Sequence, residues 1–131
     1  MKIVLDASAA LEIAGGRPQA ERFAGLIVEA EIVLAPELLL VESGNALWKL
    51  WRFSTLNMAE IPPLLFDIQE MVDEWYPLIE IYNPATVLAV TQGVTVYDAC
   101  YLYLAGSQEA SLLTLDKKMA EAGRQLGITL L

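Results

Sequence analysis

The stretch KIVLDASAALEIA, residues 2–14, joins two patterns without a linker. KIVL, residues 2–5, is a short β-branched run, which predicts a buried strand. ASAALEIA, residues 7–14, has the pattern of a helix and follows at once. A strand that runs straight into a helix is the first half of a β–α–β unit, so this stretch favours an α/β fold.

The rest of the chain repeats this alternation. We predict further strands at residues 31–35, 77–82, 111–115 and 128–131, and further helices at residues 19–30, 37–53, 63–75, 84–93, 93–105 and 116–127. Strands that alternate with helices imply a parallel sheet covered on both faces, and near-continuous apolar strands fit that burial. We expect one domain that spans residues 1–131.

Composition excludes several classes of protein. With 131 residues, 56% hydrophobic and 19% charged, the chain is long enough for a real core and is not of the disordered type. No apolar run approaches the ~18 residues of a membrane span. Asp6 and Glu12 interrupt the only segment that resembles a signal peptide. The single cysteine, Cys100, excludes an intrachain disulfide. We therefore expect a cytoplasmic protein without a membrane partner.

The chain contains no histidine. This excludes Ser-His-Asp and Cys-His catalysis, and it excludes zinc held by histidine. Any metal must be held by oxygen, which favours a hard cation such as Mg²⁺ or Mn²⁺. The net charge of -9 is unfavourable for a nucleic-acid partner, and no Lys or Arg occurs from Phe53 to Asp116, a span with nine acids.

Two acids follow predicted strands. Asp6 comes directly after residues 2–5, and Asp116 comes directly after residues 111–115. In an open α/β sheet, ligands bind outside the carboxyl ends of the strands, where the strand order reverses. Each acid also has a local interpretation, Asp6 as a turn residue near Ser8 and Asp116 as the N-cap of the last helix.

Two further acids lie in apolar helices. Asp98 occupies the third position of a helix that Thr95 can cap, where an acid also suits the helix dipole. Glu42 lies inside the predicted helix 37–53, where it shares a face with Asn45 and Lys49. It is either solvated, paired with Lys49, or part of a polar cavity together with Asn45.

The four acids make a stronger case together than singly. Converging carboxylates without positive partners repel one another unless a divalent cation neutralises them. Mg²⁺ commonly takes one or two carboxylates directly and keeps waters that another acid can hold or deprotonate. Such a site suits phosphodiester hydrolysis.

Four motifs resemble those of PIN-domain nucleases, and most of all the VapC-type toxins of prokaryotic toxin–antitoxin systems: LDAS at 5–8, VESGNAL at 41–47, TVYDACYLYLA at 95–105 and LLTLDKKM at 112–119. The resemblance implies a three-layer α/β/α sandwich with a mostly parallel sheet and Mg²⁺- or Mn²⁺-dependent endoribonuclease activity. By the same resemblance, Asp6 and Asp98 are the principal metal ligands, Glu42 and Asp116 complete the acidic cluster, and Ser8 and Thr114 orient acids or water.

Partners are predicted on the same basis. We expect RNA to bind beside Lys49, Arg52, Lys117 and Lys118, and the resemblance implies a homodimer and a cognate antitoxin protein. The helix 37–53 supports a dimer, because it is apolar on more than one stripe: Leu39, Leu40, Leu47, Trp48, Leu50 and Trp51 cannot all face one sheet. The alternative is that the next helix, residues 63–75, covers the remainder within one chain.

Three other functions compete with this one. A phosphatase of the haloacid dehalogenase type needs a second Asp where this chain has Ser8, and a receiver domain needs acids that this chain lacks at the end of its third predicted strand, Tyr82-Asn83-Pro84. The serious alternative is a non-catalytic PIN-like module that binds RNA or serves as a scaffold. Intact acids at all four motif positions argue against that alternative.

Overall fold

Four strands form one parallel sheet in the computed structural model, which describes residues 1–131. They are β1 (Lys2–Leu5), β2 (Ile32–Pro36), β3 (Glu74–Tyr76) and β4 (Ser111–Leu113), arranged in the order β3-β2-β1-β4. Every neighbouring pair is parallel, as the alternation of strands and helices predicts. The central strand β1 is fully buried from Ile3 to Leu5, because helices cover both faces of the sheet.

Seven helices flank the sheet: α1 (Ala7–Ala14), α2 (Ala20–Glu29), α3 (Leu38–Phe53), α4 (Ile61–Glu70), α5 (Leu78–Gln92), α6 (Val96–Ser107) and α7 (Lys117–Gln125). Helices α1 to α4 contact one another, and α6 contacts both α5 and α7. The sheet lies between these two groups, which confirms the three-layer α/β/α architecture. No single helix is both long and apolar enough to cross a membrane; α5 and α6 reach that length only as a pair bent by 106°.

The third strand is not where the sequence pattern predicts it. Residues 77–82 begin helix α5, and the strand that pairs with β2 is the short Glu74–Tyr76 segment before them. Asp73 fixes this edge, since its carboxylate accepts a hydrogen bond from the Val33 N–H at 2.8 Å and its own N–H donates to the Val33 carbonyl at 2.9 Å. The prediction was wrong because LIEIY alternates like a strand, whereas its burial follows a helical repeat.

Helix α5 runs through Pro84 instead of beginning there. Ile81, Ala85 and Ala89 recur at a spacing of four residues and are buried, so packing holds the helix across the proline. The predicted end at Gly93 is confirmed, because Gly93 takes the left-handed conformation, with φ of 67°, that terminates helices.

Three other predicted boundaries also need correction. Helix α4 ends at Glu70 and not at residue 75, because Asp73 draws the chain into the sheet edge. The predicted strand 111–115 stops at Leu113, which leaves Thr114 free of the ladder. The predicted final strand 128–131 is reduced to a single bridge between Leu130 and Leu112.

The strand order reverses between β1 and β4. From β1 the chain adds β2 and β3 on one side, then crosses to place β4 on the other side. Leu5 and Leu113 are partners in the register, so Asp6 and Thr114 leave the sheet next to each other at its carboxyl edge. This is the position at which open α/β sheets bind their ligands.

Candidate active site

Asp6 is the most deeply buried of the four acids, with only 3% of its surface exposed. It caps α1 by accepting a hydrogen bond at Oδ1 from the Ala9 N–H at 2.9 Å. Oδ1 also accepts from the Ser8 hydroxyl at 2.7 Å, and Oδ2 accepts from the Thr114 hydroxyl at 2.5 Å. Because both oxygens have donors, the carboxylate is held in one orientation.

The hydroxyls of Ser8 and Thr114 connect Asp6 to the loop that follows β4. Each of them donates to Asp6 and also accepts a backbone N–H from that loop. The Leu115 N–H bonds the Ser8 Oγ at 2.9 Å, and the Asp116 N–H bonds the Thr114 Oγ1 at 2.9 Å. These two residues therefore fix the loop that carries Asp116 against Asp6.

Glu42 is half-buried on α3, in its second turn. Its Oε1 accepts a hydrogen bond from the Tyr101 hydroxyl at 2.6 Å, across 59 residues of sequence. The possible pairing with Lys49 does not occur, since the one salt bridge in the structure joins Arg124 to Glu121. Glu42 is thus a partly buried acid without a cationic partner.

Asp98 and Asp116 stand at helix beginnings, as their local interpretations predict. Thr95 caps α6 by accepting the Asp98 N–H at 3.1 Å, and Asp116 caps α7 by accepting the Met119 N–H at 2.9 Å. The half-buried Asp98 carboxylate also lies beside the Thr95 hydroxyl, which lowers its pKa. Capping therefore explains the placement of Asp116 through its side chain, whereas the cap of α6 uses the Asp98 backbone N–H.

Electrostatics join the four acids into one cluster. Burial raises the pKa of Asp6, Glu42 and Asp98, in each case as the largest effect. Neighbouring carboxylates add to it: Asp116 raises the pKa of both Asp6 and Asp98, and Asp6 and Asp98 both raise the pKa of Glu42. For Asp98, Lys118 and the Thr95 hydroxyl oppose this and lower the pKa. The site thus concentrates negative charge that the chain itself neutralises only in part.

The carboxylates do not form a closed set of metal ligands in this structure, since no three acidic, histidine or cysteine side chains converge as a ready-made cation site. Their donor chemistry nevertheless suits a hard cation, because carboxylate and hydroxyl oxygens surround Asp6 and the only thiol, that of Cys100, is buried. A cation that keeps part of its water shell, as Mg²⁺ does, needs only one or two of these carboxylates directly.

The other predicted site residues are spread more widely. Lys118 lies within electrostatic range of Asp98, and Lys117 precedes it at the exposed start of α7. Lys49 borders a separate cavity of about 700 Å³ between the ends of α1 and α3 and the start of α4. The Arg52 guanidinium lies over the Phe53 ring at 5.4 Å, at the exposed end of α3, so the structure does not bring Arg52 to the acids. Asn45 is exposed, one turn of α3 from Glu42.

Tyr101 is the residue that sequence reasoning missed. Its side chain is 1% exposed and looks like part of the apolar α6 run, yet its hydroxyl bonds Glu42. A buried tyrosine usually has a hydrogen-bond partner. The position of Tyr101 one helical turn after Asp98 is therefore the feature of the sequence that could have indicated a contact with the acids.

A pH-dependent stability effect follows from the charge at Glu42. In EDTA at neutral pH, Glu42→Gln is expected to raise the melting temperature by about 2–4 °C, because the amide keeps an acceptor for Tyr101 and removes a disfavoured charge. Burial in the folded chain raises the pKa of Glu42 above its ordinary value of 4.5. The favourable contribution of Glu42 to the free energy of unfolding is therefore fully present below pH 4.5 and is lost as the pH rises through the folded pKa.

The gain from Glu42→Gln should therefore shrink as the pH is lowered toward about 4. Thermal melts across this pH range measure it, and Asp67→Asn, which removes an exposed acid from α4, is the control. A gain that stays constant with pH would contradict the assignment of the effect to the Glu42 charge.

Comparisons with known proteins agree with this fold. The PIN domain model matches residues 3–125. Ribonuclease VapC3 of Pyrobaculum aerophilum is 33% identical over 123 residues, covering 92% of this chain and 94% of the relative. Among solved structures, PAE2754 of Pyrobaculum aerophilum superposes with a TM-score of 0.76 at 27% identity, over 99% of this chain and 89% of that one.

A more distant structure shares the fold alone. It is VapBC2 from Rickettsia felis, solved in complex with a DNA fragment from the VapBC2 promoter. The superposition gives a TM-score of 0.69 at 13% identity, over 100% of this chain and 98% of the other. The family model spans nearly the whole chain and includes all four acids. The chain therefore belongs to the PIN domain family, as a VapC-like member.

Proposed function

We propose that this protein is an endoribonuclease that hydrolyses RNA phosphodiester bonds with the help of Mg²⁺ or Mn²⁺. The observation that carries the proposal is a cluster of four acids, none in a salt bridge, at the carboxyl edge of the sheet: Asp6, Glu42, Asp98 and Asp116. A divalent cation would relieve their mutual repulsion. The name of the relative from Pyrobaculum aerophilum, a ribonuclease, supports RNA as the substrate.

Each acid has a distinct part in this proposal. Asp6, fixed at both oxygens and buried, would be an anchoring ligand of the cation, and the half-buried Asp98 would be the second. Glu42 and Asp116 would hold the water molecules around it. When bound, the cation would polarise a phosphoryl oxygen and lower the pKa of the attacking water.

Proton transfer would fall to Glu42, which the proposal leaves off the cation. Because the pKa of Glu42 is raised, its carboxylate is a stronger proton acceptor than an ordinary surface acid. Glu42 is therefore suited to take the proton of the attacking water, whereas Asp98 would be bound to the cation. The carboxylate of Asp6 is less suited, since donors already occupy both of its oxygens.

RNA would approach over the basic residues beside the site. Lys118 is the best placed of these, since it already lies within electrostatic range of Asp98, and Lys117 adds a second charge at the start of α7. Lys49 and Arg52 lie farther along α3, away from the acids, and would contact only RNA that extends beyond the site. These few cations oppose a net charge of -9, so binding should depend strongly on salt and on the divalent cation.

We also propose that this protein is the toxin of a cytoplasmic toxin–antitoxin pair. The support is its VapC-like membership and the shared fold with VapBC2 of Rickettsia felis, which was solved bound to promoter DNA. An antitoxin segment that covers the four acids would exclude RNA from them.

A homodimer is the proposed assembly, through the outer face of α3. Leu39 and Leu47 are buried against the core, whereas Leu40, Trp48 and Trp51 remain 41%, 48% and 41% exposed. Helix α4 contacts α3 but leaves the exposed stripe of Leu40, Trp48 and Trp51 uncovered. The alternative, in which α4 covers the apolar surface of α3 within one chain, does not account for these three residues. Exposed aromatic side chains on an apolar face are typical of protein interfaces.

Cleavage of mixed RNAs with and without EDTA tests the proposed activity. We expect fragments to accumulate with Mn²⁺ or Mg²⁺ and no cleavage above background in EDTA, because the acids would then lack their cation. Cleavage that survives EDTA would contradict metal dependence. RNA that is retained on the protein but stays intact with either cation would favour the non-catalytic RNA-binding or scaffold module instead.

A further inference from the structure

The hydroxyl of Tyr101 has one partner in the structure. It donates to the Glu42 Oε1 at 2.6 Å, and the Tyr101 side chain is 1% exposed. A phenol at this depth cannot turn to water, so it would lose its only hydrogen bond if Glu42 moved away. Hydrogen bonds from a hydroxyl to an ionised carboxylate at this distance are among the stronger ones in proteins.

Glu42 depends on the same bond for its orientation. Its side chain has several rotatable bonds, lies only half-buried on α3, and has no salt bridge and no second hydrogen-bond donor. Without Tyr101 it would be free to swing outward into solvent, along the face that also carries Asn45 and Lys49. With Tyr101, Oε1 is held, and Oε2 is the oxygen left for other ligands.

Helix α6 carries both Asp98 and Tyr101, one helical turn apart. One half-buried helix thus presents an acid of the cluster and also the group that holds a second acid in place. Asp6 and Asp98 both raise the pKa of Glu42, so the carboxylate that Tyr101 holds lies within electrostatic range of both acids.

We propose that Tyr101 is a positioning residue that keeps Glu42 directed toward Asp6 and Asp98. This inference rests on the proposed function, because it assigns Tyr101 a part in assembling the same site. Tyr101 acts only through Glu42 and touches neither RNA nor cation. Partners of this kind, which hold the groups around a metal, commonly contribute about 10–100-fold to metal affinity or activity.

Tyr101→Phe tests the inference, because phenylalanine keeps the ring in the core and removes only the hydroxyl. We expect the dissociation constant for Mn²⁺, measured by calorimetric titration without RNA, to rise by about 10-fold. In RNA cleavage, kcat should fall by about 10–100-fold while KM for RNA stays within about two-fold, since RNA does not contact Tyr101. Tyr103→Phe is the matched control, because Tyr103 is a partly buried tyrosine of the same helix whose hydroxyl makes no hydrogen bond.

A double variant tests whether Tyr101 works through Glu42. In the Glu42→Gln background, adding Tyr101→Phe should change Mn²⁺ affinity by less than about two-fold, because the group that it positions is already altered. A further loss as large as in the wild-type background would show that Tyr101 acts by another route and would overturn the inference.

A purely structural role would give a different pattern. Tyr101→Phe would then lower the melting temperature but leave Mn²⁺ affinity and kcat equal to those of the wild type, which would also overturn the inference. Failure of the proposed function would instead appear in the wild type, as RNA left uncut with Mn²⁺. A wild-type protein that binds no Mn²⁺ would contradict both.

Discussion

Asp98→Asn is expected to reduce Mn²⁺-dependent RNA cleavage by about 1000-fold or more, which corresponds to about 4 kcal/mol of transition-state stabilisation. The substitution keeps the size of the side chain and leaves the Thr95 cap of α6 in place, because that cap uses the Asp98 backbone N–H. What is lost is a charge that the proposed cation needs. Asp6→Asn should have an effect of similar size, since Asp6 is the proposed buried anchor of the cation.

Circular dichroism and cleavage assays on the same preparations separate a loss of chemistry from a loss of fold. Both variants should keep the wild-type spectrum. Asp67→Asn, which removes an exposed acid from α4, should cut RNA like the wild type. Full activity in Asp6→Asn and Asp98→Asn would remove the acid cluster from the mechanism.

Trp51→Glu is expected to convert the proposed homodimer into a monomer, or into insoluble protein. Trp51 lies on the exposed stripe of α3 together with Leu40 and Trp48, and the Trp48 ring packs edge-on against Phe53 with centroids 6.1 Å apart. Placing a carboxylate in the middle of such an apolar contact would weaken association by about 100-fold or more. Light scattering at micromolar concentration should show the molar mass falling from that of two chains to that of one.

A second apolar face provides the control for this experiment. Helix α5 exposes Ile79, Val87 and Val90, of which Val90 is 80% exposed. Val90→Glu should leave the dimer intact if α3 forms the interface. Dissociation by Val90→Glu alone would move the interface to α5, and a wild-type protein that is a soluble monomer would show that the dimer prediction is wrong.

Local patterns in the amino-acid sequence are enough to predict the class of fold and to indicate chemistry based on carboxylates. The order of strands and helices followed from local periodicity, and β1, α1, β2 and α3 lie within one or two residues of their predicted bounds. Such patterns are readable because a strand or helix buries its own repeating face. The absence of histidine and the placement of Asp6 after a strand were likewise local facts.

Tertiary structure alone decided which residues meet. The third strand moved to Glu74–Tyr76 because Asp73 bonds Val33, a residue 40 positions earlier. Glu42 turned to Tyr101 and not to the nearby Lys49, across 59 residues. Sequence periodicity reports the face of an element on which a residue lies. A buried hydrogen bond between distant elements depends instead on how those elements pack together, so these two contacts follow only from the tertiary structure.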